Sequence, residues 1–124
     1  MKRLLTILCL VLLSSCSPPP PDGLYEMFHE NGQLEIRGNY IDGERDGLYE
    51  TFYDNGQLWT RENYKNGERG GLYEMFHENG QLEIIGNYID GERDGFWERF
   101  DEDGNLTRTL TYRNGVMVET NSPP

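Results

Sequence analysis

The chain has no alanine, two cysteines and two histidines among its 124 residues. Without alanine, and with no apolar stripe at helical spacing, nothing in it reads as a helix. Cys9 and Cys16 both fall near the start, so the rest of the chain has no thiol for a disulfide, a metal site or a nucleophile. Of six prolines, none lies between Asp22 and Ser122, so no strand ladder there is interrupted. Basic residues are scarce as well: 11 against 22 acidic, a formal net charge of −11. That balance argues against nucleic acid, whose phosphates need basic patches, and against flat electrostatic adhesion to anionic lipid. It favours basic partners or cations.

What the chain does have is repetition. Gly-Leu-Tyr-Glu begins at Gly23, Gly47 and Gly71, and Gly-Phe-Trp-Glu follows at Gly95, a period of 24 residues. Phe28, Gly32, Leu34 and Tyr40 recur at the same spacing. Units this short stack on their neighbours because none can bury its apolar side alone, and such arrays offer surfaces more readily than pockets. Gly23–Gly47 and Gly71–Gly95 differ only at Arg37 against Ile85, which marks a 48-residue duplication.

The N-terminus reads separately. Lys2 and Arg3 precede an apolar run, Leu4 to Leu13, too short for a bilayer, which needs roughly 20 residues. It fits a secretory signal over residues 1–15. Leu13-Ser14-Ser15-Cys16 resembles the lipobox of bacterial lipoproteins. The resemblance implies that Cys16 becomes the N-terminus and carries acyl chains, palmitate among them. Several such chains would hold the protein on the cell envelope. Ser17 after the cysteine implies the outer membrane where a cell has two. Residues 16–22, with Pro18 to Pro21, suit a stiff polyproline tether. Loss of residues 1–15 leaves 22 acidic and 9 basic residues, a net charge of −13.

Within the repeat domain, residues 23–118, each unit shows two strand-like runs, Leu24 to His29 and Gln33 to Tyr40 in the first; residues 119–124 form a tail. Glu30-Asn31-Gly32 and Ile41-Asp42-Gly43 both read as three-residue loops with glycine third, where a left-handed backbone is needed. Those loops predict Phe28 opposite Leu34, Glu26 opposite Ile36, Tyr40 opposite Glu44 and Ile36 opposite Leu48. Leu24, Phe28, Leu34, Ile36, Tyr40 and Leu48 then share one face. The expected fold is all-β: a single-layer antiparallel meander of about eight strands built from four hairpin repeats. Val116 and Val118 are expected to return to the Tyr112 face as a partial cap.

Asp46-Gly47-Leu48-Tyr49, Phe52-Tyr53-Asp54-Asn55-Gly56-Gln57-Leu58 and Asn63-Tyr64-Lys65-Asn66-Gly67 resemble the MORN-repeat variant of many bacterial proteins. The likeness runs from residue 22 to about 115. The fourth repeat departs most, with Asp103 for the turn asparagine and Trp97 for tyrosine. The resemblance extends to the YwqK-like antitoxin or immunity family, which implies protein binding, possible partners being toxins, and no catalytic residue.

The second face is expected to carry Tyr25, Met27, His29, Glu35, Arg37, Tyr49, Tyr53, Trp59, Arg61, Tyr73, Met75, His77 and Trp97. Aromatics with arginine and adaptable methionine suit a protein-binding face. They equally suit cross-strand pairs that only stabilise the sheet. His29 and His77 stand beside Glu30 and Glu78 at turns, with no recurring nucleophile near them, and read as solvated turn residues. Asp101-Glu102-Asp103-Gly104-Asn105 lacks the alternating ligands and distal glutamate of a calcium loop and reads as a hairpin turn. The leading expectation is a non-enzymatic, envelope-anchored interaction protein without cofactor or metal. The alternative is a structural envelope protein that self-associates through open sheet edges.

Overall fold

The computed structural model describes residues 18–124. The expected signal segment, Cys16 and Ser17 lie outside the described residues.

The described chain is all strand and turn. The strands are β1 (Gly23–Phe28), β2 (Leu34–Ile41), β3 (Glu44–Phe52), β4 (Leu58–Lys65), β5 (Glu68–Arg69), β6 (Gly71–Phe76), β7 (Leu82–Ile89), β8 (Glu92–Phe100), β9 (Leu106–Arg113) and β10 (Val116–Asn121). They form one open antiparallel sheet in chain order, β5 and β6 both pairing with β4 as one strand broken at Gly70. The meander is as expected, with more strands than eight. β10 is a full edge strand rather than a partial cap, and Met117, not Val116 or Val118, opposes Tyr112.

The two turns of each repeat differ in kind. At the first, the Gly32 amide donates to the His29 carbonyl (2.9 Å), the His29 amide donates to the Gln33 carbonyl (2.8 Å), and Gly32 has φ 87°. This is the expected three-residue loop. The same bonds recur at Tyr53–Gln57, His77–Gln81 and Asp101–Asn105. At the second turn, Ile41 opposes Glu44 and Tyr40 opposes Arg45, so the loop has two residues and not three. Asp42 (φ 50°) and Gly43 (φ 77°) are both left-handed, a type I′ turn. Aspartate and asparagine tolerate that region because their short polar side chains bond locally. Asn66-Gly67, Asp90-Gly91 and Asn114-Gly115 repeat it.

The register departs from the expected one at bulges. Phe28 opposes Leu34 as expected, but the next pair is Met27 with Ile36, so Glu35 is an extra residue. Glu26 therefore faces Arg37. A second irregularity lies between the Tyr40–Arg45 and Gly38–Tyr49 pairs, and it puts Ile36 opposite Thr51 instead of Leu48. The one-residue bulge at Glu35 and the shorter second turn each exchange the faces, whereas the second irregularity shifts the register by two and keeps them. Leu24 and Leu48 consequently lie opposite the asparagines Asn39 and Asn63, away from Tyr40, and Leu24 is 69% exposed.

The core instead lines the other face, where Tyr25, Gly38, Tyr49 and Glu62 stand opposite one another in successive strands. Tyr40, Tyr49 and Tyr64 are buried, with Tyr25 and Ile36 packed on them. Their rings meet edge to face at 5.6 Å (Tyr25–Tyr40) and 5.7 Å (Tyr49–Tyr64). Such pairs add about 0.5–1.5 kcal/mol beyond the area they bury. Tyr73, Tyr88, Trp97 and Tyr112 form the equivalent cluster in the second block. Arginines roof both clusters: the Arg45 guanidinium lies 4.0 Å from the Tyr49 ring centre and Arg93 lies 4.5 Å from that of Trp97.

Candidate interaction surface

The loop ends of the first three hairpins follow one plan. The bulged residue leans onto the residue that opens the three-residue loop. Glu35 approaches His29 (3.9 Å to Nδ1), Trp59 packs on Tyr53 with ring centres 5.7 Å apart, and Glu83 approaches His77 (3.6 Å). The loop residue then reaches into the next repeat. His29 Nε2 donates to the Phe52 carbonyl (2.8 Å), the Tyr53 hydroxyl to Phe76 (2.7 Å) and His77 Nε2 to Phe100 (3.0 Å). The amides of Asn31, Asn55 and Asn79 donate to the carbonyls of Asp54, Glu78 and Glu102 in a parallel row. The expectation that both histidines are solvated turn residues does not hold, because each is half-buried and bonded to the next repeat. Each is a strut between repeats.

Between the first two repeats this arrangement leaves a groove of about 400 Å³, lined by His29, Glu35, Ile36, Thr51, Phe52, Tyr53, Asp54 and Trp59. Trp59 is 41% exposed and forms its aromatic wall. Burial raises the Tyr53 hydroxyl above the usual tyrosine pKa, helped by the charges of Glu83 and Glu78. The hydroxyl therefore stays a donor to Phe76. A second hollow shares Ile36, Thr51 and Trp59 and continues to Glu62, Arg69, Tyr73 and Met75.

The expected binding residues thus fall into three groups. His29, Tyr53 and Trp59 line the groove, and Tyr73 and Met75 line its continuation. Tyr25 and Met27 share that face, the Tyr25 hydroxyl meeting the Met27 sulfur at 3.7 Å; His77 occupies the equivalent position in the second block. Tyr49 and Trp97 are only 4% and 1% exposed, so they belong to the core and are not available to a partner. Arg61 lies on the opposite face, paired with Glu50 (3.2 Å) and Glu74 (3.7 Å), because the bulge at Trp59 changes its side.

One buried group had no place among the expected residues. Glu62 stands where the first and third repeats have Gly38 and Gly86, and it is 7% exposed. Arg69 Nε donates to its carboxylate at 2.7 Å and the Tyr64 hydroxyl at 2.8 Å. Burial works against the Arg69 charge, yet this bond and the Glu62 charge raise its pKa overall. The break in the 24-residue pattern at position 62 was the available signal.

The MORN repeat variant signature matches four times, at residues 21–42, 45–66, 69–90 and 93–114. The chain belongs to the MORN repeat variant family. Each match covers one hairpin and ends on the first residue of the following type I′ turn, so the family unit falls on the structural hairpin. Comparison with curated proteins gives no significant match.

Proposed function

We propose that this MORN-repeat protein is a non-enzymatic protein-binding module whose tyrosine face is its working surface. The groove between the first two repeats carries that reading: it combines a half-exposed indole, a second aromatic ring and carboxylates in one concavity. Aromatic anchors in a concave site are what protein interfaces concentrate. The net charge of −11 points to a basic partner. The finer version makes it a lipoprotein, held on the cell envelope through Cys16, and an immunity-like protein that neutralises a toxin; the lipobox-like residues and the YwqK-like resemblance support it.

A pull-down with the full-length protein and its Trp59→Ala, Tyr53→Phe double variant tests the face. Capture reduced by the variant supports the reading, and equal capture by both removes it. Metabolic labelling with an alkyne palmitate, compared with Cys16→Ser, tests the anchor: label lost in the variant is the expected result.

The second reading is self-association. β1 and β10 leave two unpaired strand edges. A strictly monomeric protein in sedimentation at high concentration counts against it.

A further inference from the structure

We propose that the groove between the first two repeats receives an arginine side chain of a partner protein, a refinement resting on the protein-binding reading above. The 48-residue duplication supplies the comparison. In the second block, Arg99 Nη2 lies 3.3 Å from the Glu83 carboxylate, whose side chain is then 17% exposed. In the first block, Thr51 stands at the position of Arg99, and Glu35 at that of Glu83. The Thr51 hydroxyl bonds to that of Thr60 at 2.6 Å, leaving Glu35 38% exposed with His29 at 3.9 Å. The chain therefore fills one copy of the site with its own guanidinium and leaves the other copy open.

The open copy is also better built for a planar cation. Trp59 and Tyr53 replace Thr107 and Asp101, so an aromatic wall stands beside the carboxylate. A guanidinium stacks on an indole while offering its forked N–H groups to a carboxylate, which an ammonium cannot do in one plane. The chain uses the same stacking itself, with Arg45 over Tyr49 and Arg93 over Trp97. Asp54 at the rim and the net charge of −11 favour a basic segment around the arginine.

The test is titration of the full-length protein with a short peptide whose one charged group is an arginine side chain, followed by tryptophan fluorescence. Saturable binding is expected, with lysine in place of arginine about tenfold weaker and citrulline silent. Glu35→Gln removes the carboxylate charge without changing its shape. Thr51→Arg copies the filled site. Each is expected to weaken binding by at least about tenfold, whereas Glu102→Gln, the same charge change on an exposed turn, leaves it unchanged. Should Thr51→Arg fail to fold, Glu35→Gln alone decides. Equal affinity for Glu35→Gln and wild type, or for the citrulline and arginine peptides, overturns the proposal. If no arginine peptide binds while a native protein partner still loses capture in the Trp59 variant, the arginine assignment fails and the protein-binding reading stands.

Discussion

The ring of Tyr49 lies against the bare α-carbon of Gly38 on the neighbouring strand, where a methyl group would overlap the ring. Trp97 sits on Gly86 in the same way. An aromatic and a glycine one strand away form the seat that couples the first repeat to the second and the third to the fourth. Between the second and third repeats the glycine is replaced by Glu62, and an ion pair between that buried carboxylate and the partly exposed Arg69 takes over.

Replacing Gly38 or Gly86 by alanine is therefore expected to destabilise the fold by about 1–3 kcal/mol, the usual cost of overpacking. Gly70 has nothing within 4 Å of a new methyl group and no left-handed backbone, so Gly70→Ala should be neutral or slightly stabilising. Urea denaturation of the three variants measures the contrast. Equal midpoints for Gly38→Ala and wild type would remove the seat.

Tyr53→Phe deletes the hydroxyl that donates to the Phe76 carbonyl across the repeat boundary. A loss of about 1 kcal/mol is expected in the same denaturation assay, the typical net worth of one hydrogen bond.

Arg69→Met leaves the Glu62 carboxylate without its strongest partner. Removal of one member of a buried pair typically costs about 3–5 kcal/mol, and partial exposure of Arg69 points to the lower end. Glu62→Gln, which keeps a bond acceptor, should cost less. The order of the two unfolding midpoints checks this.

Burial raises the Tyr49 hydroxyl to about 12, against the lowering effect of the Arg45 charge. Burial raises Tyr64 as well, reinforced by Glu62. An acid whose folded pKa exceeds its unfolded value of 10.0 stabilises the fold fully below that pH. The contribution fades as the pH rises through about 12. Absorbance titration should show a late tyrosine phase, from Tyr49 and Tyr64, that coincides with loss of strand circular dichroism. A single early wave from all eight tyrosines would contradict the buried cluster.

The antiparallel meander, the three-residue first turn and the repeat boundaries were legible because glycine and asparagine positions recur every 24 residues, whereas the second turn read one residue too long. The faces were not legible. Alternation counts from turns assume a regular ladder, and Glu35, Trp59, Glu83 and Thr107 each enter as bulges three residues after a loop. One extra residue there turned Leu24 and Leu48 outward and Tyr25 and Tyr49 inward. Part of the site survived this error, because His29, Tyr53 and Trp59 sit at the loop end. Thr51 against Arg99 was visible at a spacing of 48, but its meaning depends on the ion pair with Glu83. The break in the pattern at Glu62 was visible too, but its burial depends on Tyr64 and Arg69, which bond to it.

The tyrosine face as working surface is tested most directly by site-specific photo-crosslinking of the full-length protein in its native cells. A photoreactive residue in place of Trp59 should capture a different polypeptide, mapped to a basic segment, while one in place of Leu72 on the opposite face should not. Capture through position 72 alone, or only of the chain by itself, would contradict the account.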